Sequence, residues 1–513
     1  MPTSVDAPAP KAPNRLIFAS NRACGELGMV RLVLAVLLAA LLAVAGVVGY
    51  RSYAFSEPDA AMIEPVAPTA LALDMAAASE RLAAAIRFRT MGDDPAQFDA
   101  FHAWLAETYP AFHAIARRET VAGASLLYVW EGIDPAQPPL LLLAHQDVVP
   151  APAETRVAWR VDPFAGVIAD GEIWGRGTLD DKGSLVALME AAEQLALTRF
   201  KPRRTIIFAF AHDEETANKG AKAMAALLQQ RGQHAWFALD EGMAVTAIHP
   251  LTGGPVALIG VAEKGNGTLR ISAQGAPGHS STPPPDTAVS RLARAVSAVH
   301  EMPIERGIEG GPALSMALAL SDHLPPMTRM ALANEWLFGP LVRQRLEGDP
   351  AAAALMGTTI APTMIEGGQR PNVLPGRASA MINVRLHPRD TANAILAQAR
   401  AATAEIEGVR VDWAAPPDEA SPAASTASSS YRLIAGLARG AFPDAPVAPM
   451  QVLGYTDGRN YQGVAENVYR FTPVRFSSDM LASVHGVNER ISVDDYEKQI
   501  RFYIGLMQAG TEP

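Results

Sequence analysis

The chain has almost no cysteine: among 513 residues, Cys24 stands alone. An internal disulfide is therefore impossible, and so is a zinc site built on several thiolates, which leaves any metal to histidines and carboxylates. A basic surface is missing as well. The formal net charge is -10 and no run rich in lysine and arginine occurs, which excludes the electrostatic footprint of a nucleic-acid binder. Charge is scarce overall, at 19% of residues against 49% hydrophobic, a balance that belongs to a folded globular chain rather than a disordered one. No repeat of solenoid spacing is present. A chain of 513 residues exceeds one ordinary domain, so two domains with additions are expected.

What is present begins with a long apolar run. Leu32 to Tyr50 (LVLAVLLAALLAVAGVVGY) carries no charge. As a helix it would be about 28 Å long, close to the hydrocarbon thickness of a bilayer. A core helix usually shows a polar stripe, and this run shows none. Lys11, Arg15, Arg22 and Arg31 precede it while Arg51 alone follows closely. The positive-inside tendency then predicts a cytoplasmic tail at 1–31, a transmembrane signal anchor at 32–50, and the rest on the extracytoplasmic side, whether periplasmic, lumenal or extracellular. A cleaved signal peptide is the competing reading, but the run is longer than a usual signal core and no clear A-x-A site closes it. Cys24 precedes the run, whereas a lipid-modified cysteine would follow a cleaved signal.

Ala/Pro-rich Ser56 to Thr69 reads as a spacer within a linker at 51–70, and helical periodicity begins near Leu71. A second loose stretch at 413–430 is rich in Pro, Ala and Ser and reads as a joint between domains. Elsewhere short apolar runs alternate with amphipathic helical segments, the pattern of a parallel sheet covered by helices. Three of those runs end alike. Leu140 to Ala144 leads into His145-Gln146-Asp147, Thr205 to Ala211 into His212-Asp213-Glu214-Glu215, and Ala235 to Leu239 into Asp240-Glu241. In open α/β sheets the carboxyl ends of parallel strands line the ligand crevice, so these acids should converge. His145 and Asp147 are two apart, so in extended backbone they share a face, where one can bind a metal while the other positions it. A single histidine after a strand is more often a surface or capping residue; three such strand ends together favour a site.

Between the first two strands lies GRGTLDDKGS, Gly175 to Ser184, before a helical run from Leu185 to Leu197. Its glycines fit neither a P-loop nor a dinucleotide fingerprint. Its aspartates could cap the helix or bridge two metals, and spacing cannot choose Asp180 over Asp181.

These motifs carry a resemblance. HQDVVPA, the downstream Trp159 and Asp162-Pro163-Phe164, GRGTLDDKG, HDEE, LDEG and the late VHGVNERI resemble the dizinc metallopeptidase family that contains carboxypeptidase S, aminoacylase-1, glutamate carboxypeptidase and succinyl-diaminopimelate desuccinylase. The likeness is nearest to the branch of carboxypeptidase S and the secreted N-fatty-acyl-amino-acid hydrolases, and it runs from about Leu71 to the C-terminus. It implies an α/β fold: a mostly parallel-sheet catalytic domain in two parts, 71–264 and 431–513, with an inserted α+β ferredoxin-like lid and dimerisation domain at 265–412. It implies two Zn2+ per chain, with Co2+ or Mn2+ as possible substitutes. One zinc would be held by His145, Asp180 and Asp240, and the other by Asp180, Glu215 and His485, with Asp180 bridging. Glu214 would be the general base and Asp147 would orient His145.

The resemblance extends to the lid. GAPGHSS at Gly275 to Ser281 resembles the motif whose histidine, here His279, stabilises the oxyanion, reaching the site by lid closure or from a partner subunit. GHSST is not a nucleophile elbow, since no second glycine follows at the right spacing. Asn372, in GGQRPNVLP, matches an Asn placed near substrate, and Arg385, in Asn383-Val384-Arg385, matches a strand that often bears a carboxylate-binding Arg, a role its planar fork suits. Gly454 to Arg459 resembles a late substrate loop. Met316 to Leu355, with Trp336, Leu337 and Phe338 together, reads as a helical insertion of this branch, as a core helix or as an acyl-binding surface. The implied activity is zinc-dependent hydrolysis of an amide beside a free carboxylate, in a short peptide or an N-acyl amino acid, and its reverse shares the transition state. Two other classes stay in view: a catalytically silent binding ectodomain and a membrane-tethered assembly protein whose acids form only a solvated edge. Expected partners are the small substrate, the lipid bilayer through the N-terminal helix and a second copy through the lid, with no nucleic acid.

Overall fold

The computed structural model describes residues 16–57, 63–68, 70–92, 94–308 and 311–511, with side chains from Met29 onward apart from Val30. Lys11 and Arg15 lie outside the described residues, and of Arg22 and Cys24 only the backbone is described. The chain forms two compact units, residues 16–55 with 326–340 and the remainder.

The smaller unit is built on α1, Leu16–Ala54. Its stretch Arg31–Ala54 contains an 18-residue window of mean hydropathy 2.9 with no buried residue, so it is long and apolar enough to cross a membrane. The helices Pro326–Ala333 and Glu335–Glu347 follow much later in sequence, and the first of them packs on α1. The expectation of a core helix around Trp336 and Leu337 does not hold: they are 53% and 43% exposed.

In the larger unit a ten-stranded sheet contains β1 (Arg117–Val121), β2 (Ser125–Trp130) and β3 (Leu140–His145), followed by α2 (Lys182–Leu197) and β4 (Ile206–Ala211). After α3 (Lys219–Gln230) come β5 (Phe237–Asp240), β6 (Val245–Thr246) and β7 (Val256–Glu263). A second sheet holds β8 (Gly265–Gln274), β9 (Thr359–Gly367), β10 (Arg377–Leu386) and β11 (Val409–Trp413), with α4 (Ala288–His300) and α5 (Ala392–Ala402) between strands. The chain then returns to the first sheet through α6 (Ser429–Ala441), β12 (Val447–Val452), β13 (Val468–Arg470) and β14 (Arg475–Phe476), and ends in α7 (Val493–Ala509).

The first sheet runs β1-β2-β4-β3-β5-β13-β7-β6-β14, with β12 beside β7. It is mixed rather than mostly parallel. The neighbours β4, β3, β5 and β13 are parallel, as are β12 with β7 and β14 with β6, whereas β1 with β2, β2 with β4, and β7 with β6 and with β13 are antiparallel. The strands LLLLAH and IIFAFA are buried at every position, as a strand covered on both faces requires. Helices α2 and α7 pack on one another within the same core cluster, and α2 is buried nearly all round.

The second sheet has the order β9-β10-β8-β11, entirely antiparallel, in a β-α-β-β-α-β chain order. β10 alternates buried and less buried positions, and its inward residues Ala378, Ala380, Ile382 and Val384 join Leu292 of α4 and Ile395 of α5 in a separate core. The connection after β11 is pinned rather than loose: Ser421 N–H donates to Glu263 O at 3.0 Å and Ala424 N–H to Val261 O at 2.7 Å.

Just past β10, His387 is buried and its Nδ1 accepts from the backbone N–H and Nε of Arg389, both at 3.2 Å. Burial first, then the charges of Arg389 and Lys264, lower its pKa from 6.5 to about 4. Between those values the unfolded chain binds more protons, so the folded state loses stability as pH falls from 6.5 towards 4. His387→Gln is expected to remove on the order of 2 kcal/mol of that acid loss. Across this window the thermal midpoint of the unaltered chain should fall more steeply with pH than that of the variant.

Candidate active site

The parallel neighbours β4, β3 and β5 end at one edge of the sheet, and there the chain presents the Glu214-Glu215 pair, His145 and Asp240. Asp213, between strand and helix, caps the start of α3, where its carboxylate accepts from Lys219 N–H and Gly220 N–H, both at 2.8 Å. That leaves the next two glutamates free to face the crevice.

His145 is 1% exposed. Its Nδ1 meets the Asp147 carbonyl oxygen at 3.0 Å and the Asp147 carboxylate at 3.3 Å, and its Nε2 lies 2.9 Å from Asp180 Oδ1. With the ring proton assigned to Nδ1, Nε2 turns its lone pair towards the acids. Asp147 reaches further, accepting from the backbone N–H of Glu214 at 3.2 Å and of Glu215 at 3.1 Å. One carboxylate thus fixes both the imidazole and the loop with the two glutamates.

His485 arrives from the far end of the chain. Residues Arg490–Ser492 pair antiparallel with Glu172–Trp174, which brings the loop before them against the loop of Asp180. His485 Nε2 then stands 3.0 Å from Asp180 Oδ2 and 3.1 Å from the Glu215 carboxylate. Each oxygen of Asp180 faces a different histidine. Asp181 points elsewhere: its Oδ2 accepts from His145 N–H at 3.2 Å, and although it stands at the N-cap of α2 it makes no capping bond. The geometry therefore separates two residues that spacing could not.

Two groups of three donor atoms converge to within 4.8 Å, His145 with Glu214 and Glu215, and Asp180 with Glu215 and His485. Imidazole and carboxylate donors without thiolate suit zinc. Asp240 belongs to neither group; it is buried, and its Oδ2 accepts from Gly458 N–H at 2.6 Å. The electrostatics are those of a cation site. Burial disfavours the charge of Asp180, yet hydrogen bonds from His145 and His485 hold its pKa well below the ordinary range. Bonds to Asp180 and Glu215 push His485 up to about 10. Burial raises Glu214 to about 8, with His145 opposing and Glu215, Asp180 and Asp147 adding to the rise.

His279 and Asn372 form a second group. Gly278–His279 pairs antiparallel with Val373–Leu374, and Ser280 N–H donates to Asn372 O at 3.1 Å, so His279 and Asn372 are neighbours. His279 is exposed, its Nδ1 lies 2.8 Å from Ser281 Oγ, and among the described residues it is not among the converging donors. Arg385 sits in β10 and feels Arg459 as its charged neighbour, so that burial and then that like charge lower its pKa. Arg459 lies over the Tyr455 ring at 4.1 Å and bonds Glu419 O at 2.9 Å.

Sequence reasoning gave no role to Glu489. It is fully buried, and its Oε1 accepts from the N–H groups of Gly177 (3.0 Å), Leu179 (2.9 Å) and Asp180 (3.2 Å). Its Oε2 takes Arg176 Nη1 at 2.6 Å, and Arg176 Nη2 donates to Gly486 O at 2.6 Å. The pair clasps the Asp180 loop to the His485 loop. Both residues stand inside the motifs GRGTLDDKG and HGVNERI, which was the available signal. Glu489→Gln is expected to weaken zinc binding about 10- to 100-fold, as read by chelator competition, because the supports of the donors loosen.

Imidazoles and carboxylates gathered at the carboxyl edge of an open α/β sheet, beside a buried carboxylate able to take a proton, define a metallohydrolase centre. The chain belongs to peptidase family M20/M25/M40, whose pattern matches residues 141–509. It is a hydrolase of this metal-dependent family. It is 37% identical over 446 residues to the N-fatty-acyl-amino acid synthase/hydrolase PM20D1 of Bos taurus, covering 85% of this chain and 88% of that protein. It is 34% identical over 442 residues to the "Probable carboxypeptidase S-like 2" of Dictyostelium discoideum, covering 84% of each. Among solved structures, the M20 family metallo-carboxypeptidase Sso-CP2 from Sulfolobus solfataricus superposes with a TM-score of 0.62 at 19% identity, over 85% of this chain and 99% of that one.

Proposed function

We propose that the chain is a two-zinc amidohydrolase that cleaves N-acyl amino acids, with the donors divided as His145, Asp180 and Asp240 for one cation and Asp180, Glu215 and His485 for the other. The observation that carries this reading is Asp180, whose two oxygens face two histidines at 2.9 and 3.0 Å. When bound, the cations held by these residues would supply the charge that polarises an amide carbonyl and acidifies a water. The chain's own residues do the rest. Glu214 accepts the proton of the attacking water and returns it to the leaving nitrogen. Asp147 keeps His145 turned to the cation. Arg385, which has no carboxylate partner among the described residues, takes the free carboxylate of the substrate with its planar fork. The β8–β11 unit, a ferredoxin-like sandwich in chain order, serves as the lid, and its closure or a partner copy along exposed β9 carries His279 to the oxyanion. The apolar helix is the anchor, with the catalytic part extracytoplasmic.

The relatives support the acyl substrate, since those at 37% identity are described as N-fatty-acyl-amino acid synthase/hydrolases. Likeness to a carboxypeptidase S-like protein favours short peptides as the second reading. Zinc analysis and hydrolysis by the full chain, with and without chelator, on matched N-acyl amino acids, their carboxamides and dipeptides tests both. About two zincs per chain and chelator-sensitive cleavage of the acids, with the carboxamides poor, are expected. Metal-free, inactive protein after zinc is restored overturns the reading in favour of a silent ectodomain.

A further inference from the structure

The smaller unit contains an apolar surface that the hydrolytic site does not use. Residues 326–340 are tied to the last turns of α1 by side chains. Arg329 Nε donates to Ser52 O at 3.0 Å and its Nη2 to Tyr53 O at 3.2 Å. Asn334, fully buried, donates to Val48 O at 3.3 Å and to Ser52 Oγ at 3.1 Å, while Arg51 Nε donates to Ala333 O at 3.1 Å. The carbonyls at a helix end have no partners within the helix, and a cation there also meets the negative end of its dipole. These bonds therefore fix the later segment at the level where α1 ends.

At that level the exposed large apolar and aromatic side chains are Tyr50 and Tyr53 of α1, with Met327, Trp336 and Leu337 of the later segment, beside the exposed charge of Arg51. Tyrosine and tryptophan favour the headgroup region, where a ring is half in hydrocarbon and a polar tip stays wet. Trp336 Nε1 has its polar partner in Asn334 Oδ1 at 3.4 Å, which leaves the ring face outward. Tyr50 and Tyr53 lie on the same helix as the apolar window, none of whose residues is buried.

We propose that residues 326–340 form a second contact with the bilayer, lying in the lipid interface beside the end of α1 and inserting Met327, Trp336 and Leu337 among the upper acyl chains. This rests on the reading of α1 as a membrane span. The occupant is lipid because the patch adjoins a helix that lipid must surround, and the hydrogen bonds hold it at headgroup depth. The insertion thereby adds to the span a shallow membrane contact from a distant part of the sequence.

The test uses the full chain in vesicles of phosphatidylcholine and phosphatidylglycerol. In a Cys24→Ser background, an environment-sensitive fluorophore is placed at Leu337→Cys, at Val36→Cys within the span, and at Val157→Cys, a position 95% exposed. Lipids spin-labelled near the headgroup or near the chain end report depth. The expected result is loss of fluorescence at 337 that is stronger with the shallow label, loss at 36, and none at 157. Quenching at 36 with 337 as unquenched as 157 overturns the inference and leaves the span intact. No quenching at either 36 or 337 overturns both. A blue-shifted probe at 337 that lipid labels do not quench assigns the patch to a protein partner and also overturns the inference.

Discussion

Glu214→Gln is expected to lower kcat by about two to four orders of magnitude while leaving bound zinc close to that of the unaltered chain. The substitution keeps the shape of the side chain and removes its ability to collect a proton. Glu214 is well placed for that role. Its backbone N–H is fixed by Asp147 at 3.2 Å, and burial with the surrounding acids raises its pKa to about 8. Those surroundings suit a group that must hold a proton between the water and the leaving nitrogen. Measuring kcat beside zinc content separates base from ligand. Loss of zinc together with activity would show that Glu214 holds a cation, which its place in the convergent group with His145 and Glu215 permits geometrically.

Asp180→Asn is the second large effect, and it should remove metal and activity together. Asp180 faces His145 with one oxygen and His485 with the other, so a single amide replaces an anionic oxygen that the proposed division of donors gives to both cations. Zinc content should fall from about two per chain to below one, and turnover should fall to the chelator-treated level. The neighbouring change provides the contrast. Asp181→Asn retains an oxygen to accept the His145 N–H, and zinc should stay bound. If instead Asp181→Asn empties the site and Asp180→Asn does not, the bridging assignment is wrong.

The strands were legible because their burial is written in composition. LLLLAH, IIFAFA and FALD are apolar runs closed by acids or histidine, and each is a buried neighbour in the parallel part of the sheet. The antiparallel edge strand β1 was less legible, since its exposed RRETV pattern carries neither a buried run nor chemistry. The segment around Trp336 misled because an apolar cluster on a helix reads alike whether it is buried in a core or exposed.

By itself the sequence determined the candidate donor types, the long apolar helix and the three strand ends, because these depend on residue type and local period. Only the tertiary structure turned Asp180 rather than Asp181 towards both histidines, set Glu489 beneath both loops, and carried His485 across from the end of the chain. Such choices turn on side-chain direction and on contacts between residues some 300 positions apart in sequence, which pairing of 172–174 with 490–492 establishes and local sequence does not encode.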